Sequence, residues 1–438
     1  MAHSSASENS VRPIGISLHH KGIIPGMKYN IDMNGYKGII FNSVNVGLLN
    51  GELGRTVKEK NIRTAVVSRK NRTECRRIMK AKGVGVDVII GGHDLDTRYK
   101  HFGKPEGDPM IIASAMMYLN SSEVVVFGDY NGDRMACEAA GMTYCDNLGR
   151  LLGMLEECPR VVKEDVDKTG FTVPVTGIIG AICGDVIGSA YEFHPTEDYD
   201  FEPFIKRTHV TDDSVATLAV ASWLIGGRSR KELVDTFLGV CNRHPNAGWG
   251  PKFKAWLRGK DHSPYGGRAN GAQMRVSACG WVADTLEETL DLARRSAEVS
   301  HDSQEGIEGA QAIAAAIFLS RTGHSKNDVK KYIEINFHYD LDKTVSEHRK
   351  IRSKDYVCSQ SGPEAIRCWL EADTYEQAVR NAVTLRTDAD TVADIAGAIA
   401  AATPGMEVPQ AWADKVFGML DNELKEIFIR FDTSLKTK

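Results

Sequence analysis

The chain has 438 residues, which is long for a single hydrophobic core and predicts two domains. A hydrophobic fraction of 42% and a charged fraction of 26% are typical of a globular protein, while a net charge of −4 disfavours nucleic acid and anionic membranes as partners. No segment has the length of a membrane span, and the nine cysteines include no CxxC pair, which predicts a cytoplasmic protein with reduced thiols.

The first third of the chain has the pattern of an α/β domain. Residues 1–12 are polar, lack the apolar core of a secretory signal and are predicted to form a disordered tail. Over residues 13–158, continuous apolar strands alternate with helices, which predicts a Rossmann-like parallel sheet covered by helices. The predicted strands cover residues 38–41, 64–68, 86–91 and 123–129, and the predicted helices cover 74–82 and 109–119.

The rest of the chain has the pattern of an all-α domain. A charged stretch over residues 159–174 is predicted to be a linker. From residue 175 to 438, alanine-rich stretches repeat apolar residues at spacings of three and four, as amphipathic helices do. The predicted helices cover residues 177–190, 214–225, 229–241, 286–299, 306–321, 325–336, 374–384 and 391–402.

Two acidic clusters of matching composition each open an apolar helical stretch. They are Thr211-Asp212-Asp213 and Asp388-Ala389-Asp390-Thr391. Carboxylates and hydroxyls are hard oxygen ligands that suit Mg²⁺, Mn²⁺ or Ca²⁺. Such residues also cap helix starts, but a cap uses one side chain and does not explain a second, repelling carboxylate beside it. The two clusters therefore predict one shared cation site.

The helix predicted over residues 177–190 is rich in glycine and is followed by Glu192. Glycine inside a helix costs about 1 kcal/mol relative to alanine, so its density here needs a reason. One reason is close packing against another helix. The other is a close approach of the helix end to a ligand, which would deliver Glu192 to that ligand. The sequence leaves both open.

Several motifs in order over about residues 175–430 resemble the ADP-ribosylglycohydrolase family, also described as dinitrogenase reductase-activating glycohydrolase-like. They are Tyr191-Glu192-Phe193, Thr211-Asp212-Asp213, the segment from Asn270 to Val276, Ser300-His301-Asp302 and Asp388-Ala389-Asp390-Thr391. The resemblance implies an all-α domain with two Mg²⁺ ions beneath an ADP-ribose cleft, Mn²⁺ being the alternative cation. The implied metal ligands are Thr211, Asp212, Asp213, Asp388, Asp390 and Thr391.

The same resemblance implies roles for the residues around the cations. Glu192 would position or activate the attacking water, and Asp212 and Asp390 would take part in catalysis through the metals. Substrate would contact Gly248 and Gly250 in a loop that resembles the phosphate loop, Asn270 and Gly271 in the substrate loop, and His301 near the distal ribose. Taken without the resemblance, the loop is a surface turn, Asn-Gly is a turn signal, and His301 is a structural histidine.

Two pairs of residues depart from the family pattern. Arg386-Thr387 stands where many members have Gly-Gly, and bulkier residues there are expected to narrow or recharge the cleft. Arg268-Ala269 stands where small residues are common. Arg268 and Arg386 are either contacts for an anionic group or solvated surface arginines.

Residues 36–150 resemble the haloacid dehalogenase-like phosphatases. Ser68 matches the second motif, Lys104 the third, and Gly128-Asp129 through Asp133 the fourth. The nucleophile position departs from the family, because Asn42 stands where the aspartate is expected and Val44 where a second acid is expected. An amide cannot attack phosphorus to form an aspartyl-phosphate. The prediction is a degenerate domain that is not a phosphatase, in which Asp129 and Asp133 either bind a cation or cap the following helix.

The leading prediction is an Mg²⁺-dependent hydrolase that cleaves the glycosidic bond between ADP-ribose and an N- or O-linked acceptor, either a protein side chain or a small molecule. Such a reaction passes through an oxocarbenium-like state. A metal pair can orient the ribose and activate the water, and a general base can accept the proton of that water. One rival is a haloacid dehalogenase-type phosphohydrolase acting on a nucleotide or an ADP-ribose phosphate. The other is a non-enzymatic ADP-ribose-binding protein.

Overall fold

A computed structural model describes residues 36–91, 108–117, 119, 121–158, 172–351 and 355–436. The predicted tail over residues 1–12, Lys104 and residues 159–171 of the predicted linker lie outside the described residues.

The N-terminal region is a parallel five-stranded sheet with strand order β3-β2-β1-β4-β5. The strands are β1 (Gly38–Phe41), β2 (Arg63–Ser68), β3 (Val88–Gly91), β4 (Val124–Phe127) and β5 (Thr143–Cys145). The predicted parallel sheet is confirmed. The prediction omitted β5, because three residues at a sheet edge are too few to show a period.

Helices connect the strands of this sheet. They are α1 (Glu52–Lys60), α2 (Arg72–Lys82), α3 (Asp108–Met116), α4 (Asn131–Ala139) and α5 (Leu148–Glu156). Asn71 begins α2 by accepting a hydrogen bond from the Glu74 amide, and Gly83 ends it in the left-handed conformation. A right-handed crossover between parallel strands needs such helices, so the alternating sequence pattern and the topology agree.

In the C-terminal region the regular elements that the structure describes over residues 172–351 and 355–436 are all helices, apart from one isolated bridge between Ala269 and Val357. Its helices are α6 (Ile179–Gly188), α7 (Asp212–Leu224), α8 (Arg230–Cys241), α9 (Pro251–Arg258), α10 (Ser277–Val282), α11 (Leu286–Glu298), α12 (Gln304–Arg321), α13 (Lys326–Phe337), α14 (Val345–Ile351), α15 (Cys358–Leu370), α16 (Tyr375–Val383), α17 (Ala389–Ala402), α18 (Gln410–Met419) and α19 (Asn422–Lys436). The all-α prediction is confirmed. None of the helices that the structure describes combines the length and apolarity of a membrane crossing.

Helices α6 and α17 pack at very short range, and glycine makes this possible. A Cβ added at Gly184 would lie 2.0 Å from the Ala393 carbonyl oxygen, and one added at Gly188 would lie 2.3 Å from the Ala389 carbonyl oxygen. Close packing therefore explains the glycines of α6. It also brings the end of α6, with Glu192 beyond it, to the N-terminus of α17. Close helix packing and delivery of Glu192 to a ligand are therefore compatible explanations for these glycines.

The two regions meet at helix α19. It packs against α3 of the N-terminal region and against α7 of the C-terminal region. The Arg72 guanidinium donates to the Glu426 carboxylate, whose side chain is only 3% exposed. A buried ion pair thus joins the start of α2 to α19.

Candidate active site

The two acidic clusters converge at the N-termini of α7 and α17. One ligand oxygen each from Glu192, Asp388 and Asp390 lies within 4.8 Å of the others. Asp212 and Asp213 line the same cleft, as does Thr391. Clusters that lie far apart in the sequence therefore line one cleft, and the shared cation site stays a prediction.

Thr211 caps α7, and this leaves the neighbouring carboxylates available. Its side-chain oxygen accepts a hydrogen bond from the Asp213 amide at 3.3 Å. Thr211 itself is buried behind the surface of the cleft. Capping and a role for Asp212 and Asp213 are therefore compatible, because adjacent residues perform the two tasks.

Asp185 supports this cluster from below and was not among the predicted site residues. Its carboxylate is fully buried in α6 and accepts from the Thr211 amide at 3.2 Å, the Thr211 hydroxyl at 2.6 Å and the Ser214 amide at 3.1 Å. The Ser214 hydroxyl donates to the same carboxylate. The available signal was a lone aspartate inside an otherwise apolar helix, since a buried carboxylate needs several donors.

The second cluster is held differently. Asp388 occupies the N-cap position of α17 but makes no side-chain capping bond. Instead its Oδ2 accepts from Asn270 Nδ2 at 2.7 Å, and Asn270 Nδ2 also donates to Ser361 Oγ at 3.0 Å. Helix capping alone therefore does not explain Asp388, whose orientation is fixed by the loop that contains Asn270.

Burial and the proximity of other carboxylates raise the pKa values of the acidic residues in this centre. Burial, then the nearby Asp388 charge, raises the pKa of Glu192 to about 7, and burial followed by Asp185 raises the pKa of Asp212 to about 7. Burial and the charge of Asp390 raise the pKa of Asp213 well above its ordinary value. Asp213 Oδ2 is buried and has no hydrogen-bond partner among the described residues. Such an all-oxygen donor set with an orphaned carboxylate oxygen fits a hard divalent cation.

The acidic centre lies in a cleft of about 770 Å³. All the predicted substrate residues line it, namely Gly248, Gly250, Asn270, Gly271 and His301. Aromatic residues that the sequence did not single out line it as well, including Phe253, Tyr265 and Tyr356. Aromatic walls with a few polar groups are typical of cofactor-sized ligands.

The loop over residues 246–250 approaches the first acidic cluster closely. Gly248 has a φ of +115°, and a Cβ there would lie 2.7 Å from Asp212 Oδ1. The Asp212 amide donates to the Ala247 carbonyl at 2.8 Å. The segment is therefore part of the cleft wall and not a free surface turn, and only glycine fits at residue 248.

His301 is buried against the loop that precedes Asn270. Its ring is 3% exposed, contacts Tyr265 edge-on at 5.4 Å between centroids and has Nδ1 2.9 Å from Ser300 Oγ. Burial, with the charge of Arg275, lowers the pKa of His301 well below its ordinary value. The ring is therefore neutral at physiological pH.

The two arginines that depart from the family pattern have different positions. Arg386, at a φ of +64°, pairs with Glu197, donates to the Arg349 carbonyl at 3.2 Å and is not part of the cleft lining. The expectation that its side chain narrows or recharges the cleft is therefore wrong, because the left-handed backbone directs it elsewhere. Arg268 does line the cleft, at its rim, and pairs with Glu305 while remaining 66% exposed.

The carboxyl edge of the N-terminal sheet carries a network of amides and acids. Asn42 Nδ2 donates to Asp129 Oδ1 at 3.1 Å and to Asp133 Oδ2 at 3.0 Å, and Asn45 Nδ2 also donates to Asp129. Helix α4 has no side-chain cap at its start. Asp129 and Asp133 were expected either to bind a cation or to cap α4, and capping is not observed. The Asn42 amide lies between the two carboxylates.

Comparisons with known proteins agree with both resemblances. A family model described as ADP-ribosylglycohydrolase matches residues 175–435, and one described as Haloacid dehalogenase-like hydrolase matches residues 52–146. The Mus musculus protein ADP-ribosylhydrolase ARH3 is 25% identical over 325 residues, which cover 56% of this chain and 88% of the relative. Its Homo sapiens counterpart is 24% identical over 325 residues, covering 56% and 90%. A solved chain of an ADP-ribosylglycohydrolase-related protein complex is 20% identical with a TM-score of 0.45, covering 60% of this chain and 96% of that chain.

Proposed function

Because the chain belongs to the ADP-ribosylglycohydrolase family, whose model matches more than half of its length, we propose that it is an Mg²⁺-dependent hydrolase that releases ADP-ribose from an N- or O-linked acceptor. The observation that supports this most directly is the convergence of Glu192, Asp388 and Asp390 in one cleft. The mammalian relatives are named as ADP-ribosylhydrolases, and this chain is proposed to share that activity.

The residues proposed to hold two Mg²⁺ ions are Thr211, Asp212, Asp213, Asp388, Asp390 and Thr391. Their hydroxyl and carboxylate oxygens suit Mg²⁺ or Mn²⁺. When bound, the cations would supply Lewis-acid activation of water and would hold the hydroxyls of the distal ribose. They would also compensate the charges of Asp212 and Asp213, whose pKa values are raised by burial and by the neighbouring carboxylates.

Glu192 is proposed as the general base. Its carboxylate lies beside Asp388 and Asp390 at the end of α6, where a proton from an attacking water can reach it. A carboxylate in this position can accept a proton from the water and return it to the leaving group. The short-range packing of α6 against α17 fixes the distance between this base and the second acidic cluster.

The loops of the cleft are proposed to orient the substrate. Backbone amides around Gly248 and Gly250 are suited to a pyrophosphate, because a glycine loop exposes N–H groups. Asn270 and Gly271 line the cleft and are proposed to contact the ribose, and Asn270 also orients Asp388. The neutral His301 ring at the cleft wall can exchange a hydrogen bond with a sugar hydroxyl without adding charge.

The direct test is release of free ADP-ribose from defined substrates. Peptides ADP-ribosylated on serine or arginine, and small ADP-ribosyl esters, would be incubated with Mg²⁺, with Mn²⁺ or with a chelator. We expect product from at least one acceptor class with metal and none with chelator. Product formation that is unaffected by chelator would contradict the metal-dependent proposal.

A second test uses Glu192→Gln. The amide keeps the shape of the side chain but cannot accept a proton, so kcat is expected to fall by about 10²- to 10⁴-fold. The matched control is Glu407→Gln, which alters an exposed glutamate outside the cleft. If wild type and both variants bind ADP-ribose equally and none of them releases product, the protein is an ADP-ribose-binding protein and not a hydrolase.

A further inference from the structure

A second cavity of about 760 Å³ lies beside the catalytic cleft. Its walls come from the start of α12, the connection between α13 and α14, α14 itself and the start of α15. Arg268 lines both this cavity and the cleft. The volume falls within the range of about 300–1,000 Å³ that is typical of ligand sites.

His348 marks this cavity as a binding site. Its side chain lines the cavity and is only 6% exposed, yet neither ring nitrogen has a hydrogen-bond partner among the described residues. The Glu364 carboxylate is 3.8 Å from His348 Nδ1, which is beyond hydrogen-bond distance. Buried polar atoms without partners are rare and destabilising, so a ligand in the cavity would supply what the protein does not.

The chemistry of the cavity indicates which ligand it takes. Burial lowers the pKa of His348, and a neutral imidazole offers one N–H donor and one acceptor nitrogen. A polypeptide backbone presents the matching acceptor and donor in every residue. The Phe337 ring and Ile351 add apolar wall to the cavity.

The charge of the cavity argues against nucleic acid. Two cations line the cavity among the described residues: Arg268 pairs with Glu305, and Lys343 lies 3.3 Å from Asp340. Glu308 takes part in no ion pair within the described part of the chain and accepts a hydrogen bond from Gln304. The described residues of the wall therefore carry a negative excess, which favours a neutral or basic peptide over a phosphate backbone.

The ridge between the two cavities consists of the backbone segments 268–270 and 356–358, which are hydrogen-bonded to each other. The Cys358 amide donates to the Arg268 carbonyl at 3.0 Å, and the Asn270 amide donates to the Tyr356 carbonyl at 3.0 Å. The same Asn270 orients Asp388 in the acidic centre. A chain that crosses this ridge can therefore place one residue in the cleft and its neighbours in the second cavity.

We propose that the second cavity binds the polypeptide segment that flanks an ADP-ribosylated residue, with His348 hydrogen-bonded to the backbone of that segment. This inference rests on the proposed function and specifies its acceptor as a protein. His348 is a specificity-determining residue in this scheme and takes no part in bond cleavage.

The test compares two substrates in wild type and His348→Leu, which removes both nitrogens. For a short ADP-ribosylated peptide with flanking lysines, KM is expected to rise about tenfold with little change in kcat, as the loss of backbone hydrogen bonds predicts. For a small ADP-ribosyl ester without a peptide, both constants are expected to stay at their wild-type values. His348→Asn, which keeps a donor and an acceptor, is expected to recover part of the peptide KM. His324→Gln, at an exposed histidine outside both cavities, is the matched control.

A second variant keeps the test independent of any folding defect in His348→Leu. Glu308→Lys reverses the unpaired charge and is expected to raise KM for the lysine-flanked peptide more than for an alanine-flanked one. Equal effects of His348→Leu on peptide and ester, or no effect on either, would overturn the proposal. So would an ADP-ribosylated oligonucleotide whose KM depends on His348.

Titration of the unmodified lysine-flanked peptide separates this inference from the proposed function. Binding that His348→Leu weakens supports the second cavity even if no substrate is hydrolysed. Hydrolysis of the ester together with absence of peptide binding would refute the second cavity and leave the hydrolase proposal intact.

Discussion

At the scale of single residues, Asn42 carries an NH₂ group where the haloacid dehalogenase-like pattern expects a carboxylate oxygen. This difference determines which chemistry the carboxyl edge of the N-terminal sheet can perform. Asn42 Nδ2 donates to both Asp129 and Asp133, so two carboxylates that would otherwise repel each other share one neutral donor. A cation would normally meet that need in such a cluster. Asn42 thus lacks a nucleophilic carboxylate and donates hydrogen bonds to both acids, which argues against the phosphohydrolase alternative.

Asn42→Asp is therefore expected to create a cation site. Three carboxylates would then converge without the Asn42 amide that donates to two of them, and one additional Mn²⁺ per chain should bind relative to wild type. Equilibrium dialysis with Mn²⁺ measures this stoichiometry directly. Asn147→Asp is the control in the same region, because Asn147 caps α5 and aspartate caps equally well. Identical stoichiometry in Asn42→Asp and wild type would refute the expectation.

At the scale of elements, the N-terminus of α19 braces the loop that lines the cleft. Asp421 Oδ2 lies 2.9 Å from His244 Nε2, while His244 Nδ1 lies 2.9 Å from the Val240 carbonyl oxygen. Both ring nitrogens thus face acceptors, which favours the doubly protonated imidazolium. The His244 carbonyl in turn accepts from Trp249 Nε1 at 2.7 Å, inside the loop over residues 246–250.

This brace predicts a pH-dependent contribution to stability. The hydrogen bond to Asp421 raises the pKa of His244 above 6.5, and the same bond lowers the pKa of Asp421 to about 2. The contribution of His244 is therefore complete below pH 6.5 and is lost as pH rises through the raised pKa in the folded state, while the contribution of Asp421 is lost only as pH falls towards 2. Glu423 and Arg243 also face this site.

His244→Gln should consequently destabilise the protein at pH 5.5 and much less at pH values above the raised pKa. Urea unfolding of wild type and variant across this pH range gives the difference in free energy of unfolding. Asp421→Asn should produce the same pH profile, and His209→Gln, at an exposed histidine, should produce none. A difference that does not vary with pH would rule out the charged pair.

At the scale of the whole molecule, α19 connects the two regions to the cleft. Its Glu426 accepts from Arg72 of the N-terminal region, and its Glu423 accepts from Arg243, next to the cleft loop. Both members of the Arg72–Glu426 pair are mostly buried, with exposures of 14% and 3%. Removing one member of a buried ion pair is strongly destabilising, because it weakens the charge compensation of the member that stays buried.

Arg72→Ala is accordingly expected to lower the free energy of unfolding by about 3 kcal/mol. It should also separate the unfolding of the two regions, which calorimetry would record as two transitions. Arg134→Ala is the control, since its ion pair with Glu138 is at least 60% exposed and should matter little. The double variant Arg72→Met/Glu426→Met should recover most of the loss. A single unchanged transition in Arg72→Ala would contradict the role assigned to this pair.

Much of the fold followed from local patterns in the sequence. Apolar runs such as residues 38–41 and 64–68 match β1 and β2 closely, because buried parallel strands are apolar on both faces. The short strand β5 and helix α15, which has Pro363 in its interior, show a weaker periodicity of apolar residues and are not among the predicted elements. The acidic clusters could be recognised because their residues are adjacent in the sequence.

Periodicity and short motifs are local properties, so the sequence was sufficient to predict the two fold classes and the acidic residues that line the cleft. The direction of each side chain and the residues packed behind it are properties of the tertiary structure. It directs Arg386 away from the cleft, places Asp185 beneath Thr211 and leaves the His348 ring nitrogens without a hydrogen-bond partner among the described residues. These features depend on contacts between segments that are distant in the chain, and no local pattern carries that information.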